Sequence, residues 1–342
     1  MFTKKIFRKL RNATLLTASS LLVLFSLSCG TDEQLTWHGQ IEGELFPVVL
    51  LLDWTPNTNH AGIYIAAQKG WYEEEGIDLT ILDYAGEPTQ LVGAGEAHFG
   101  ISNAELVIPA RAQGIPVISI ATIITKNTSS LLSLQEEGIT RPRDLEGKSY
   151  GGWGGALETQ IVEELVRCDG GDPKKVKFTE VGNVDYLVGM ERDQYDFVWI
   201  FDAWDGIRYS EVEEKDISTL AFRDYEQCIP NWYTPIIITN QTLIKEYPGL
   251  IKAFMKATAR GYEFAIENPE QAANILLTSV PELDKELVHG SARWLSNFYA
   301  TDGDWGSQKL KVWQEFELFL REAGLTSKKI DASEAFTNEF IP

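Results

Sequence analysis

An unbroken apolar run, Val48 to Leu52, empties into the polar octet Asp53-Trp54-Thr55-Pro56-Asn57-Thr58-Asn59-His60. The run reads as a buried strand, and the octet is too rich in Pro and Asn for a regular element. Gly62, Ile63, Tyr64, Ala66 and Ala67 then suit a short helix, capped by Asn59 and ended by Gly70. Ile77 to Leu82 alternates apolar and polar positions, as a strand does. A right-handed crossover makes the two strands of this unit parallel. Ligands of open parallel sheets sit outside the C-terminal ends of the strands, where Trp54, Asn57, Asn59 and His60 fall.

The same alternation continues. Pro88 sits in the first turn of a helix, and Ala97 to Ile101 is a strand ending in Ser102-Asn103-Ala104-Glu105. Val117 to Thr125 is the next strand. A second block begins near Leu131, in which Gly151-Gly152-Trp153-Gly154-Gly155-Ala156-Leu157-Glu158 turns a strand into a helix that runs to about Cys168. Lys175 to Thr179 is a strand, Gly182 to Tyr186 opens a helix, and the strand Phe197 to Phe201 ends in Asp202-Ala203-Trp204-Asp205-Gly206. Asn231-Trp232-Tyr233-Thr234-Pro235 introduces Ile236 to Ile238. The remainder of the chain is mostly helical, with apolar residues three and four apart, as in Leu250, Phe254 and Met255 or Trp313, Phe316 and Phe319. The expected architecture is two α/β lobes joined by two crossings, with a ligand cleft between them. Residues 48–128 and 238–342 form the first lobe, and 129–237 the second.

The N-terminus stands apart from this pattern. Lys4, Lys5, Arg8, Lys9 and Arg11 precede an uncharged, largely apolar stretch ending at Cys29-Gly30, as in a secretion signal over residues 1–28. Small residues before Cys29 point to cleavage there and lipid attachment to it, although Ser26 stands where such sites usually carry Leu, which leaves processing by an ordinary signal peptidase or an uncleaved anchor as the alternatives. Residues 29–47 then form the lipid attachment and tether, and the domain stands at the outer face of a membrane. Without the signal's five basic residues, 25 basic residues face 50 acidic ones. That field argues against nucleic acid and other polyanions as partners. Cys168 and Cys228 either pair or remain buried thiols, and no spacing resembles a zinc or iron-sulfur motif.

The segments DWTPNTNH at Asp53 to His60, GIYIAAQKGWY at Gly62 to Tyr72, GISNAE at Gly100 to Glu105, GGWGGALE at Gly151 to Glu158, GNVDYL at Gly182 to Leu187 and FVWIFDAWDG at Phe197 to Gly206 together resemble the NMT1/THI5-like substrate-binding proteins of ABC importers. The resemblance implies a type 2 periplasmic-binding-protein fold and an extracytoplasmic receptor. Such a receptor closes over a flat nitrogen heterocycle, riboflavin or a thiamine pyrimidine such as formylaminopyrimidine or hydroxymethylpyrimidine. It hands that ligand to a membrane permease and its ATPase, and needs neither cofactor nor metal.

A flat conjugated ring is best held between aromatic faces, with carboxylate, amide or imidazole groups reading its edge. Trp54, Trp153, Tyr186, Trp204 and Trp232 lie at element ends and are candidates for the faces, with core packing as the alternative for each. Trp199, inside an apolar run, reads as core. Asn57, Asn59, His60, Asn103, Glu105, Glu158, Asp202 and Asp205 are candidates for the edge. Their plainer roles are caps, helix-start stabilisation and solvation. Two other classes remain open. Yeast-type relatives synthesise the pyrimidine from a histidine and pyridoxal phosphate, for which His60 and Lys69 are the conceivable counterparts. Their cysteine-rich motif has no match in Cys168 and Cys228. A non-transport ligand sensor is the other class.

Overall fold

The computed structural model describes residues 44–342 apart from 84–85, 183, 302 and 327. The signal, Cys29 and the tether as far as residue 43 lie outside the described residues. The last tether positions are corrected: Phe46 and Pro47 already belong to the first strand, and Phe46 sits edge-on to His98 at 6.1 Å. The first sheet contains β1 (Phe46–Leu51), β2 (Ile77–Leu82), β3 (Phe99–Ser102) and β4 (Val117–Thr122). The second contains β5 (Ser129–Leu134), β6 (Ser149–Gly152), β7 (Lys177–Glu180), β8 (Phe197–Phe201) and β9 (Ile217–Ala221), and β10 (Ile236–Asn240) returns to the first. Their orders are β2-β1-β3-β10-β4 and β7-β6-β8-β5-β9.

In each sheet the strand on which the chain arrives from the other lobe runs against its neighbours. β10 is antiparallel to β3 and β4, and β5 is antiparallel to β8 and β9, while β1 with β2 and β3, and β6 with β7 and β8, are parallel. A reversed strand begins at the end of the sheet where its parallel neighbours finish. Residues just before β5 and β10 are thereby brought to the C-terminal ends of the parallel strands. The two crossings and those strand exits face one cleft.

The C-terminal helices fix the first lobe's side of that cleft. The helices Ala61–Gln68 and Pro248–Glu267 touch at Gly62 and Gly261, where a Cβ on Gly261 would stand 1.9 Å from the Gly62 carbonyl oxygen. Only residues without a side chain permit that approach. It lets Tyr262 OH donate to the Asn59 carbonyl at 2.7 Å and Tyr299 OH to the Thr58 carbonyl at 2.6 Å. Cys168, at the end of the helix Ala156–Cys168, is disulfide-bonded to Cys228 in the second crossing, with Cα atoms 5.7 Å apart. That bond ties a second-lobe helix to the segment leading home, and cystines persist in oxidising compartments.

Candidate functional site

Between the lobes lies a cleft of about 500 Å³, within the range of small-molecule sites. Trp54 and Trp153, one from each lobe, meet across it edge to face, with ring centroids 5.8 Å apart and planes at 83°. Both rings remain substantially exposed, 42% and 48%. Large aromatic side chains left uncovered inside a concavity offer faces for a ligand. The Trp153 indole N–H donates to Tyr186 OH at 2.7 Å, so two of these rings are locked to each other. Burial pushes the Tyr186 phenol up to about 12, so it stays protonated and keeps a donor. Trp204 and Trp199 complete the aromatic lining. Trp199 also packs edge-on to Phe222 at 4.9 Å, so it is part of the core, as expected, and part of the cleft as well.

The polar groups come from the same strand exits. After β1, the Asn57 side chain accepts from the Asn59 N–H at 2.9 Å and so caps the turn Thr58–His60; the cap is Asn57 rather than Asn59. Asn57 and Asn59 both line the cleft. Glu105, in the first turn after β3, reaches the floor. Burial there raises its carboxyl to about 8, and Asp53 nearby adds to the shift. Glu105 Oε2 and Trp232 Nε1 are both buried and short of hydrogen-bond geometry, although the indole still favours the charged carboxylate. Asp205 lies in a π-helical turn, Asp202–Gly206, at the exit of β8, and burial raises it to about 6. Such wide turns concentrate at functional sites.

At the exit of β6, Gly154 has φ +78°, a conformation suited to glycine, and the corner opens onto the helix Ala156–Cys168. Glu158 folds back over it. Its Oε1 accepts from Tyr150 OH at 3.0 Å, and its Oε2 from the N–H groups of Gly155 at 2.8 Å and Trp153 at 3.1 Å.

Four candidates do not line the cleft. His60 is fully buried behind Asp53, its Nε2 2.9 Å from Asp53 Oδ1 and its Nδ1 accepting from the Asn57 N–H, so it orients the loop. Asn103 caps the helix Ala104–Ala112 through the Leu106 N–H at 3.0 Å. Asp202 turns inward to Ser130 and Arg223, joining β8 to β5 and to the segment after β9. Trp232 is 1% exposed and stacked on Phe316 at 4.9 Å, in the core. The structure adds residues that carried no sequence signal. Thr128, Thr234 and Pro235 enter from the two crossings, and Arg208 and Tyr209 from a second π-helical turn, Arg208–Val212. Asp53 was hidden by its position in an obviously polar loop.

Two α/β lobes with a reversed strand in each sheet, two crossings and an aromatic-lined cleft define a periplasmic-binding-protein-like fold. Superposition agrees: the aliphatic sulphonate binding protein SsuA from Escherichia coli matches with a TM-score of 0.68 at 13% identity, over 84% of this chain and 91% of that one. Residues 57–272 match the model of the family described as NMT1/THI5 like, and the chain belongs to that family. Among curated relatives, the formylaminopyrimidine-binding protein of Halalkalibacterium halodurans is 28% identical over 93% of this chain and 96% of its own. The 4-amino-5-hydroxymethyl-2-methylpyrimidine phosphate synthase of Legionella pneumophila is 30% identical over 86% and 92%. The riboflavin-binding protein RibY of Chloroflexus aurantiacus is 27% identical over 86% of each chain.

Proposed function

We propose that this chain is the extracytoplasmic solute-binding component of an ABC importer, lipid-anchored through Cys29. Its ligand is a flat nitrogen heterocycle, either riboflavin or a thiamine pyrimidine, delivered to a permease and its ATPase. The observation that carries this reading is the pair Trp54 and Trp153, exposed, in edge-to-face contact and contributed one from each lobe. A ring seated against the exposed faces of both touches both lobes at once and favours the closed arrangement of the two. Carboxyl groups of Asp53, Glu105 and Asp205, with the amides of Asn57 and Asn59, supply acceptors and donors for the ring's edge.

The relatives include a synthase by name, and the synthetic route that the resemblance implies would need His60 or Lys69 at the ligand. Among the described residues no lysine lines the cleft. Lys69 lies over the Phe264 ring, its Nζ 4.2 Å from the centroid, and His60 is shielded by Asp53. These placements favour binding over synthesis. Calorimetric titration with riboflavin, formylaminopyrimidine, hydroxymethylpyrimidine and thiamine tests the reading. Saturable one-site binding of the flavin or of a pyrimidine supports it and assigns the ligand, and silence toward all four rejects the ligand class.

A further inference from the structure

The glycine corner after β6 has the makings of an oxyanion site. It combines two converging backbone N–H groups, from Trp153 and Gly155, a hydroxyl from Tyr150, and the positive end of a helix 13 residues long. It borders the ligand cleft, since Trp153 and Glu158 both line that cleft. Every one of those three donors is committed to the Glu158 carboxylate. Among the described residues of the lining the one guanidinium, Arg208, is also engaged, 2.6 Å from Asp185 and 2.6 Å from Glu213. Asp53, Glu105 and Asp205 face the same space.

We propose that Glu158 is a specificity-determining residue: a built-in anion that fills the cleft's oxyanion nest and makes it take uncharged or cationic heterocycles while rejecting their phosphorylated and sulfonated forms. This rests on the ligand class proposed above and narrows it. A phosphate arriving on a ligand would have to displace a carboxylate that accepts from three donors, and would find no unengaged cation among the described lining residues in exchange. The name of the Legionella relative carries a pyrimidine phosphate; such a phosphate falls outside the ligands this cleft takes. Glu158 also ceases to be a reader of the ligand's edge, because its acceptor capacity is largely spent on the corner.

The test compares the full-length chain, held in detergent, with Glu158→Ala and Glu158→Gln. Titrants are riboflavin against riboflavin 5′-phosphate, hydroxymethylpyrimidine against its phosphate, and inorganic sulfate alone. In the parent chain the unphosphorylated form should bind at least about tenfold tighter than its phosphate, as expected for one extra anion brought up to the Glu158 carboxylate. Sulfate should not saturate it. Glu158→Ala should gain saturable sulfate binding and narrow the phosphate discrimination, while Glu158→Gln, which loses the charge and keeps one acceptor oxygen for the backbone N–H groups, with its NH2 left facing the Tyr150 hydroxyl, should narrow it in part. Equal or tighter binding of the phosphate by the parent chain overturns the proposal. So does unchanged discrimination and silence toward sulfate in the folded variants. If Glu158→Ala does not fold, Glu158→Gln decides. If no heterocycle binds at all, the ligand class has failed, and the sulfate titrations still decide the role of Glu158.

Discussion

Replacing Trp153 by Ala separates ligand contact from stability. The side chain is 48% exposed within the cleft, so of a tryptophan's roughly 250 Å² about 120 Å² is open to a ligand. A stacked ring covers one face, about 60 Å², which at ~25 cal/mol per Å² is about 1.5 kcal/mol. Aromatic pairing adds about 0.5 kcal/mol or more, for a total near 2 kcal/mol, or roughly 30-fold in Kd. The stability cost is much smaller. Trp153 gives up an edge contact to Trp54 and a hydrogen bond to Tyr186, and its backbone N–H still donates to Glu158. Exposed contacts of this kind contribute about 1 kcal/mol. Trp232→Ala is the control. That ring is stacked in the core on Phe316, and its loss should cost about 3–5 kcal/mol in unfolding free energy. Calorimetric titration for Kd and urea unfolding for stability read the two effects separately. A Trp153→Ala variant that binds within twofold of the parent refutes the stacking role. One that loses stability like Trp232→Ala shows the ring to be structural.

The packing carries three further expected outcomes. The Glu105 carboxyl is raised from 4.5 to about 8, so between those pH values the folded chain holds a proton that the unfolded chain has released, and stability falls as pH rises through this window. Glu105→Gln removes the titration, and its Tm advantage over the parent chain should grow from pH 5 to pH 9; a constant difference contradicts the burial of that group. Gly261→Ala drives a methyl to 1.9 Å from the Gly62 carbonyl oxygen and should cost about 1–3 kcal/mol, with weaker ligand binding because the loop carrying Asn57 and Asn59 rests on that contact; unchanged unfolding would show the helices free to part. The Cys168–Cys228 bond closes a separation of 60 residues, so replacing both by Ala should cost about 4 kcal/mol by loop-closure entropy, read by chemical denaturation; no loss would show that it does not constrain the unfolded chain.

The strand exits were legible in the sequence because apolar runs stop abruptly at polar, Asn-rich or Gly-rich segments. Trp54, Asn57 and Asn59 after β1, Glu105 after β3, Trp153 after β6 and Trp204 with Asp205 after β8 could be named on that ground. Position alone could not say which way such a side chain turns. Trp232 precedes β10 as a cleft residue would, and only Phe316, 84 residues later in the chain, draws it into the core. Asp202 and Asp205 share one turn. Ser130 and Arg223 pull the first inward, while the π-helical winding leaves the second at the cleft. The contributions of the crossings, Thr128, Thr234 and Pro235, depend on β5 and β10 being reversed, and no local pattern encodes that reversal. Periodicity located the C-terminal helices, yet not their job of holding the carbonyls of Thr58 and Asn59 through Tyr299 and Tyr262.

The most direct test of the central claim is the titration of the chain with riboflavin and with each pyrimidine while following tryptophan fluorescence. Binding against Trp54 and Trp153 predicts saturable one-site quenching by either the flavin or a pyrimidine, with the quenching reduced in Trp153→Ala. A chain whose fluorescence and heat stay flat with all of them would contradict the assignment of this cleft to a flat nitrogen heterocycle.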